Sequence, residues 1–264
     1  MQLSVYKTMK DGYTGFVDSR QSVLEKICLG YIREPAGSSR KICAMNGFEQ
    51  VLVLLSGSCE IVFADGVRHK LGPRDDLFTQ KAWAVYLPVG DSATLIASEG
   101  FEAVLSSVKA DRVYSRVVIT PDMVHGRSVG KGVYQRMVYD IAGSDFPAHR
   151  ILIGETVNPE GNWSSFPPHK HDEARGDEEV KLEEAYYFRV KPAHGFGFQR
   201  IYSPKYSIDE AIVVKNHCVT LIPCGYHPVS ASPGYTLYYL WILAGEARQM
   251  QPYDDPDHTW IKSR

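Results

Sequence analysis

Short apolar runs separated by turn residues follow one another through the first half of the chain. Val51–Leu55, Cys59–Ala64 and Val67–Leu71 consist mainly of apolar and β-branched residues. Ser56-Gly57-Ser58 and Asp65-Gly66 separate these runs, which is typical of an antiparallel meander. No stretch of the sequence repeats apolar residues at helical spacing over several turns. The pattern predicts an all-β protein built from sandwiches or barrels.

The second half repeats this plan, and a single offset of 135 residues aligns the two halves. Glu49 precedes the Pro-x-Gly turn that begins at Pro88 by 39 residues, and Glu184 precedes the one at Pro223 by the same number. Each glutamate opens an apolar run, and each turn closes one. We therefore expect a duplicated β-domain, with the two jelly-roll-like copies in tandem.

The two copies differ in their histidines. We place the first copy in residues 1–115 and the second in residues 116–264. At the offset of 135, His227 aligns with Ser92, and no histidine stands in the forty residues before Glu49. The first copy is therefore expected to be degenerate, and any metal is expected in the second.

Composition and charge exclude several kinds of partner. The 264 residues include 29 Lys and Arg against 31 Asp and Glu, with no long basic run to bind a nucleic-acid backbone. The N-terminal residues lack an apolar core of signal-peptide length, and Tyr235–Ala244 is too short to span a bilayer. We expect a cytoplasmic protein that binds neither nucleic acid nor membrane. Five cysteines without a C-x-x-C pair argue against a disulfide framework.

Histidines at two places in the second copy have the spacing of metal ligands. If residues 169–171 form a strand, alternation directs His169 and His171 to one face and Lys170 to the other. His227 follows a Pro-x-Gly turn, and Glu184 lies at the start of a predicted strand. Three imidazoles and one carboxylate suit a divalent metal, with zinc, manganese and iron(II) all acceptable.

Alternation allows only one of two adjacent glutamates to face the metal. We choose Glu184, because it aligns with Glu49 and places Tyr186 and Phe188 on the same inward face. Glu183 is then an outward or supporting residue, or a catalytic acid or base.

Three further features each have a functional and a structural interpretation. Tyr226, beside His227, either acts in catalysis through a hydrogen bond in the pocket or packs in the core. Arg200, with Gln199 next to it, either binds a substrate carboxylate bidentately or belongs to a purely structural strand. The charged segment Asp172–Glu183 is either a solvated loop or a lid over the pocket.

Longer strings in the second half resemble a known family. They are NWSSFPPHKHD (Asn162–Asp172), LEEAYYFR (Leu182–Arg189), GFGFQRIY (Gly195–Tyr202), PCGYHPV (Pro223–Val229) and GYTLYYLWILAG (Gly234–Gly245). Together they resemble the cupins, as a bicupin with one degenerate copy. Within the cupins they resemble the 5-deoxy-glucuronate isomerases of myo-inositol catabolism and, more distantly, the 5-keto-4-deoxyuronate isomerases of pectin breakdown.

This resemblance implies an aldose–ketose isomerase that converts 5-deoxy-D-glucuronate to 5-dehydro-2-deoxy-D-gluconate. The divalent metal would be held by His169, His171, Glu184 and His227, and the ligand would be a small sugar acid. Two alternatives stay open: another metal-dependent cupin enzyme, such as a different uronate isomerase or an iron(II) dioxygenase, and a non-catalytic bicupin that binds a sugar acid. A homo-oligomer is compatible with the sequence, which does not decide the oligomeric state or the native metal.

Overall fold

The computed structural model describes residues 1–43 and 46–263, and its regular elements are β-strands with short 3-10 helices. The all-β prediction is confirmed. Within the described residues, no helix is long and apolar enough to cross a membrane.

The strands are numbered in chain order. The first half contains β1 (Ser4–Tyr6), β2 (Gly12–Val17), β3 (Ile27–Arg33), β4 (Ser39–Cys43), β5 (Phe48–Phe63), β6 (Arg68–Arg74), β7 (Ala84–Leu87), β8 (Ser92–Ala97), β9 (Glu102–Lys109), β10 (Val117–Ile119) and β11 (His125–Val129). The second half contains β12 (Arg136–Ala142), β13 (Ile151–Asn158), β14 (Trp163–Ser164), β15 (His169–Lys170), β16 (Glu183–Lys191), β17 (Gly197–Ser203), β18 (Ile208–Val214), β19 (Cys218–Ile222), β20 (Val229–Ala231), β21 (Thr236–Ala244) and β22 (Tyr253–Asp254). The 3-10 helices are Gly132–Tyr134, Pro204–Tyr206 and Pro256–Ser263.

The chain forms two compact units, each assembled from separate segments. The N-terminal unit comprises Lys7–His125 and Asp140–Ile151, and the C-terminal unit comprises Met1–Tyr6, Gly126–Tyr139 and Leu152–Arg264. The sequence predicts one boundary after residue 115, whereas the compact units interleave along the chain. One reason is that β1, at the very start of the chain, pairs antiparallel with β19. Which copy holds a metal stays a prediction at this point.

The N-terminal unit is organised around β5, a strand of 16 residues. It pairs with β6, β7, β8 and β9, and its register shifts between Leu54 and Ser56 and again between Gly57 and Cys59. We expected a turn at Ser56-Gly57-Ser58, but the chain continues here as one bulged strand. Gly57 has a φ of +70°, and a Cβ there would lie 2.6 Å from the Gly100 backbone. Only glycine fits this approach, so the bulge bends one long strand where a hairpin was expected.

The C-terminal unit is a sandwich of two sheets. One has the strand order β1-β19-β16-β21-β13-β12-β11, and the other has the order β14-β20-β17-β18. Apolar side chains from both sheets fill the space between them, including Phe188 and Leu237 from the first and Ile201 and Val229 from the second. Strand β16 lies inside the first sheet, where Glu184 pairs with Ile222 on one side and Leu243 on the other. The backbone of Glu184, near the start of this central strand, is therefore fixed by a neighbouring strand on each side.

Candidate metal centre

The three predicted histidine ligands converge in the C-terminal unit. Strand β15 pairs with β22, so that His169 lies opposite Asp254, and His171 follows directly after the strand. The ring centroid of His227 lies 4.8 Å from that of His169 and 5.0 Å from that of His171. Alternation along residues 169–171 therefore brings the two imidazoles to the same place as the third.

Glu184 completes a buried trio with two of these histidines. One of its carboxylate oxygens, Oε2, lies 3.1 Å from His171 Nε2 and 3.3 Å from His227 Nε2. Glu184, His171 and His227 are respectively 3%, 2% and 0% exposed. Their ligand atoms lie within 4.8 Å of one another, which is close enough for one ion to contact all three. The half-buried His169 ring adjoins this trio and does not belong to its tightest part.

The backbone fixes how two of the rings present their nitrogens. His171 Nδ1 lies 2.9 Å from the carbonyl oxygen of Leu182, and His227 Nδ1 lies 2.9 Å from that of Gly225. A carbonyl only accepts, so each Nδ1 carries a proton. Each Nε2 faces the Glu184 carboxylate, and His171 Nε2 lies at hydrogen-bond distance from it. Among the described residues, His227 Nε2 has no hydrogen-bond partner. A lone pair that faces a buried carboxylate needs a cation between the two groups, so these residues fit a divalent metal.

Electrostatics distinguish the two imidazoles. Burial lowers the pKa of His227 to about 3, and the charge of Glu184 only partly opposes this effect. Burial acts in the same sense on His171, but its hydrogen bond and charge interaction with Glu184 outweigh burial and raise its pKa above the ordinary value. His227 is therefore a neutral imidazole at any physiological pH. Either a proton or a metal cation can occupy the position between His171 Nε2 and Glu184 Oε2.

Tyr186 and Gln199 surround the cluster from inside the sandwich. The Tyr186 ring lies 6.0 Å from that of His227, and burial first, then the charge of Glu184, raises its pKa well above the ordinary value. The side-chain nitrogen of Gln199 donates to the His227 carbonyl at 3.4 Å, and the whole residue is buried. Strand alternation indicated the inward position of Tyr186. The substrate contact expected for Gln199 stays a prediction, and its observed contact supports the backbone of a candidate ligand.

Arg200 is placed away from the histidine cluster. It neighbours Gln199 on β17, so its side chain points to the opposite face of the strand. The guanidinium pairs with Asp209 at 2.7 Å and 2.9 Å, lies over the Tyr202 ring at 4.1 Å, and is 47% exposed. This geometry supports the structural interpretation of Arg200. Because adjacent residues of a strand point to opposite faces, Gln199 and Arg200 cannot both face one pocket.

The two candidate acid–base residues are each adjacent in sequence to a candidate ligand. Glu183 is half-buried and pairs with Ala244, on the face of β16 opposite to Glu184. The Tyr226 ring packs at 5.1 Å from the Tyr202 ring. Burial first, then the charge of Asp255, raises the pKa of Tyr226 to about 12. Tyr226 therefore keeps its proton at neutral pH and is suited to donate a proton, not to accept one.

A buried ionic group anchors the charged segment Asp172–Glu183. It consists of Lys170, Asp172 and Glu179, and we call it the Lys170 network. Lys170 Nζ donates to both carboxylate oxygens of Glu179, at 2.8 Å and 2.9 Å, and to Asp172 at 2.5 Å. Asp172 in turn accepts the backbone N–H of Gly225 at 2.8 Å. Glu179 is 1% exposed, so this part of the segment is not the solvated loop that its composition suggested. Whether the segment acts as a lid stays a prediction.

A cavity of about 390 Å³ opens beside His169 within the C-terminal unit. Its lining includes three cationic side chains, Lys131, Arg136 and Lys262, and the carboxylate of Asp254. Burial, and then nearby positive charges including Arg136 and Lys262, lower the pKa of His169 to about 3. The volume falls in the range of roughly 300–1,000 Å³ that is usual for small-molecule sites. No sequence motif marks this cavity or its cations, because the lining residues are scattered from Val129 to Lys262.

Two β-units, of which the second carries a buried cluster of histidines and a glutamate, define a bicupin. Oxalate decarboxylase from Bacillus subtilis shares this fold, with a TM-score of 0.67 over 96% of this chain and 79% of its own, at 13% identity. The KduI/IolB family model matches residues 6–261, and the chain belongs to this family.

Relatives within the family agree with this assignment. The protein named 5-deoxy-glucuronate isomerase in Geobacillus kaustophilus is 41% identical over 214 residues, which is 81% of this chain and 78% of that protein. The one in Bacillus subtilis strain 168 is 34% identical over 82% of this chain and 80% of that protein. A crystal structure of an IolB-like protein from Salmonella typhimurium LT2 matches with a TM-score of 0.94 and 32% identity, covering 99% of this chain and all of that one. The predicted class of enzyme, an isomerase, is confirmed.

Proposed function

We propose that this chain isomerises 5-deoxy-D-glucuronate to 5-dehydro-2-deoxy-D-gluconate, an aldose–ketose conversion in inositol catabolism. The relatives named 5-deoxy-glucuronate isomerase, at up to 41% identity over about four fifths of the chain, support this substrate. The observation that carries the proposal is the convergence of two imidazole Nε2 atoms on one oxygen of the buried Glu184 carboxylate, at 3.1 Å and 3.3 Å. A cytoplasmic location and a homo-oligomer remain expectations of the sequence.

We further propose that a divalent metal is held by His169, His171, Glu184 and His227. When bound, such a metal would act as a Lewis acid on the two substrate oxygens between which the carbonyl group moves. Zinc, manganese and iron(II) all suit this set of nitrogen and oxygen ligands, which does not select among them.

The chain itself supplies orientation, burial and proton control. The Leu182 and Gly225 carbonyls hold two imidazoles in the tautomer that presents Nε2. The reaction moves one hydrogen from C2 to C1 and one proton from the C2 oxygen to the C1 oxygen. Glu183 and Tyr226 remain the proposed acid–base residues, and a phenol that stays protonated at neutral pH can serve Tyr226 only as a proton donor. No contact among the described residues favours the dioxygenase or the non-catalytic binder over the isomerase.

Proton NMR of 5-deoxy-D-glucuronate in deuterated water tests the reaction, with the wild-type protein of measured metal content beside His171→Ala. We expect the aldehyde signals to convert to those of the ketose with the wild type and not with the variant. Deuterium at C1 of the product would indicate proton transfer, and its absence would indicate a hydride shift. An unchanged spectrum with one metal ion bound per wild-type chain would show that the substrate assignment is wrong.

A further inference from the structure

The cavity beside His169 carries more positive than negative charge. Lys131, Arg136 and Lys262 line it together with a single carboxylate, that of Asp254. Lys262 pairs with Asp254, and Lys131 Nζ donates to the backbone carbonyl of Lys262 at 3.5 Å. The carboxylate is therefore already matched by one cation. Two positive charges remain for a ligand that enters the cavity.

Arg136 is the most constrained of these cations. Its Nη1 donates to the carbonyl oxygens of Tyr134 at 3.2 Å and Phe166 at 3.5 Å, which fixes the plane of the guanidinium. Among residues 1–43 and 46–263, Arg136 forms these two hydrogen bonds and no ion pair with a carboxylate. Arg136 is half-buried, so its interaction with an anion is screened less than that of an exposed side chain. An oriented guanidinium without an acidic partner is suited to a planar carboxylate, which it can bind through two parallel hydrogen bonds.

The position of His169 connects this cavity to the candidate metal centre. His169 lines the cavity, and its ring lies 4.8 Å from that of His227. A hexuronate carries its aldehyde at C1 and its carboxylate at C6, so a molecule with C1 at the histidine cluster would extend its carboxylate into the cavity that His169 lines. We infer that Arg136, assisted by Lys131, forms the subsite that binds the carboxylate of the sugar acid and selects acids over neutral sugars. This inference rests on the proposed function for the identity of the substrate.

Kinetics of Arg136→Ala with 5-deoxy-D-glucuronate test the subsite directly. We expect KM to rise about 10- to 100-fold and kcat to change less than about threefold, the loss typical of a hydrogen-bonded charge that acts on binding. Arg136→Lys should fall between the wild type and Arg136→Ala, because it restores the charge without the bidentate geometry. The exposed Arg68, which pairs with Glu60, provides a matched control as Arg68→Ala, with both constants unchanged. A rise in KM for Arg200→Ala, with none for Arg136→Ala, would overturn the inference.

A binding experiment separates the subsite from the reaction. Calorimetry on the metal-loaded protein compares the Kd of D-glucuronate with that of the neutral sugar D-glucose, for the wild type, Arg136→Ala and Arg136→Lys. We expect the wild type to prefer the acid and Arg136→Ala to lose at least tenfold of that preference. If the preference holds but 5-deoxy-D-glucuronate is not converted, the subsite stands and the proposed reaction falls. If the wild type binds both sugars equally, the subsite assignment is wrong whatever the isomerase assay shows. Should Arg136→Ala not fold, Arg136→Lys answers the same question through a reduced preference.

Discussion

The two glutamates related by the 135-residue offset have opposite surroundings, and this difference leads to our most detailed prediction. Glu49 is fully buried and accepts hydrogen bonds from Tyr86 Oη and the backbone N–H of His149 at Oε2, both at 2.8 Å. Its other oxygen, Oε1, accepts the N–H groups of Arg150 at 2.6 Å and Ile151 at 2.8 Å. Glu184 instead faces the Nε2 atoms of two buried imidazoles. The first carboxylate is held by donors of the protein, and the second requires a cation.

Glu49→Gln keeps one oxygen and replaces the other with an NH₂ group that cannot accept. Two charge-assisted hydrogen bonds are lost, each worth about 1.5–3 kcal/mol, although the Tyr86 hydroxyl can rotate to accept from the amide. A backbone N–H then remains buried without a partner, so we expect a net loss of about 2–4 kcal/mol. At about 2–4 °C per kcal/mol, Tm should fall by roughly 5–15 °C. Metal content should stay that of the wild type.

Glu184→Gln should behave in the opposite way. The new amide can donate to an imidazole Nε2, so little stability should be lost in the absence of metal. The Tm of the metal-free variant should lie within about 3 °C of that of the metal-free wild type, which corresponds to about 1 kcal/mol. Its metal content should fall to near zero, because the charged ligand is gone. Differential scanning calorimetry and metal analysis on the same samples measure both quantities, with Tyr86→Phe as a milder control for the first glutamate. If Glu49→Gln retains the wild-type Tm but loses metal, our distinction between the two copies is refuted.

Two further predictions concern the Lys170 network and the cysteines. Lys170→Met should destabilise the protein by about 3–5 kcal/mol, because Glu179 loses its buried partner. Residues 172–183 should then become sensitive to limited proteolysis. Proteolysis no faster than in the wild type would contradict this prediction. In the native protein at pH 8, a thiol reagent should modify the exposed Cys43 first. Burial raises the pKa of Cys59 to about 12 and that of Cys218 to about 11, so these should react only after unfolding. Rapid modification of both without unfolding would show that they are accessible.

Local sequence patterns predicted the features that are determined within a single strand or turn. Apolar runs and turn residues indicated the all-β fold, and alternation from Glu184 correctly placed Tyr186 and Phe188 in the core of the sandwich. The H-x-H spacing brought His169 and His171 to one place, because a period of two is a property of a single strand. Each of these predictions needed only the geometry of one element.

The parts that the sequence did not reveal depend on long-range pairing. The pairing of β1 with β19 joins residues more than 200 positions apart, and nothing in Ser4–Tyr6 indicates that partner. Arg136 reaches the His169 cavity through the arrangement of segments distant in sequence, so no motif pointed to it. The sequence left Arg200 open between a substrate contact and a structural role, because its ion pair with Asp209 of the neighbouring strand is not visible in the sequence.

The central claim is that a metal at His169, His171, Glu184 and His227 supports the isomerisation, and a metal titration tests it most directly. Chelator-treated protein is titrated with zinc or manganese while bound metal and conversion of 5-deoxy-D-glucuronate are measured on the same samples. We predict that turnover is absent without metal, rises in proportion to metal bound and saturates at one ion per chain, and that Glu184→Gln never gains it. Full turnover by protein shown to be free of metal would contradict the account.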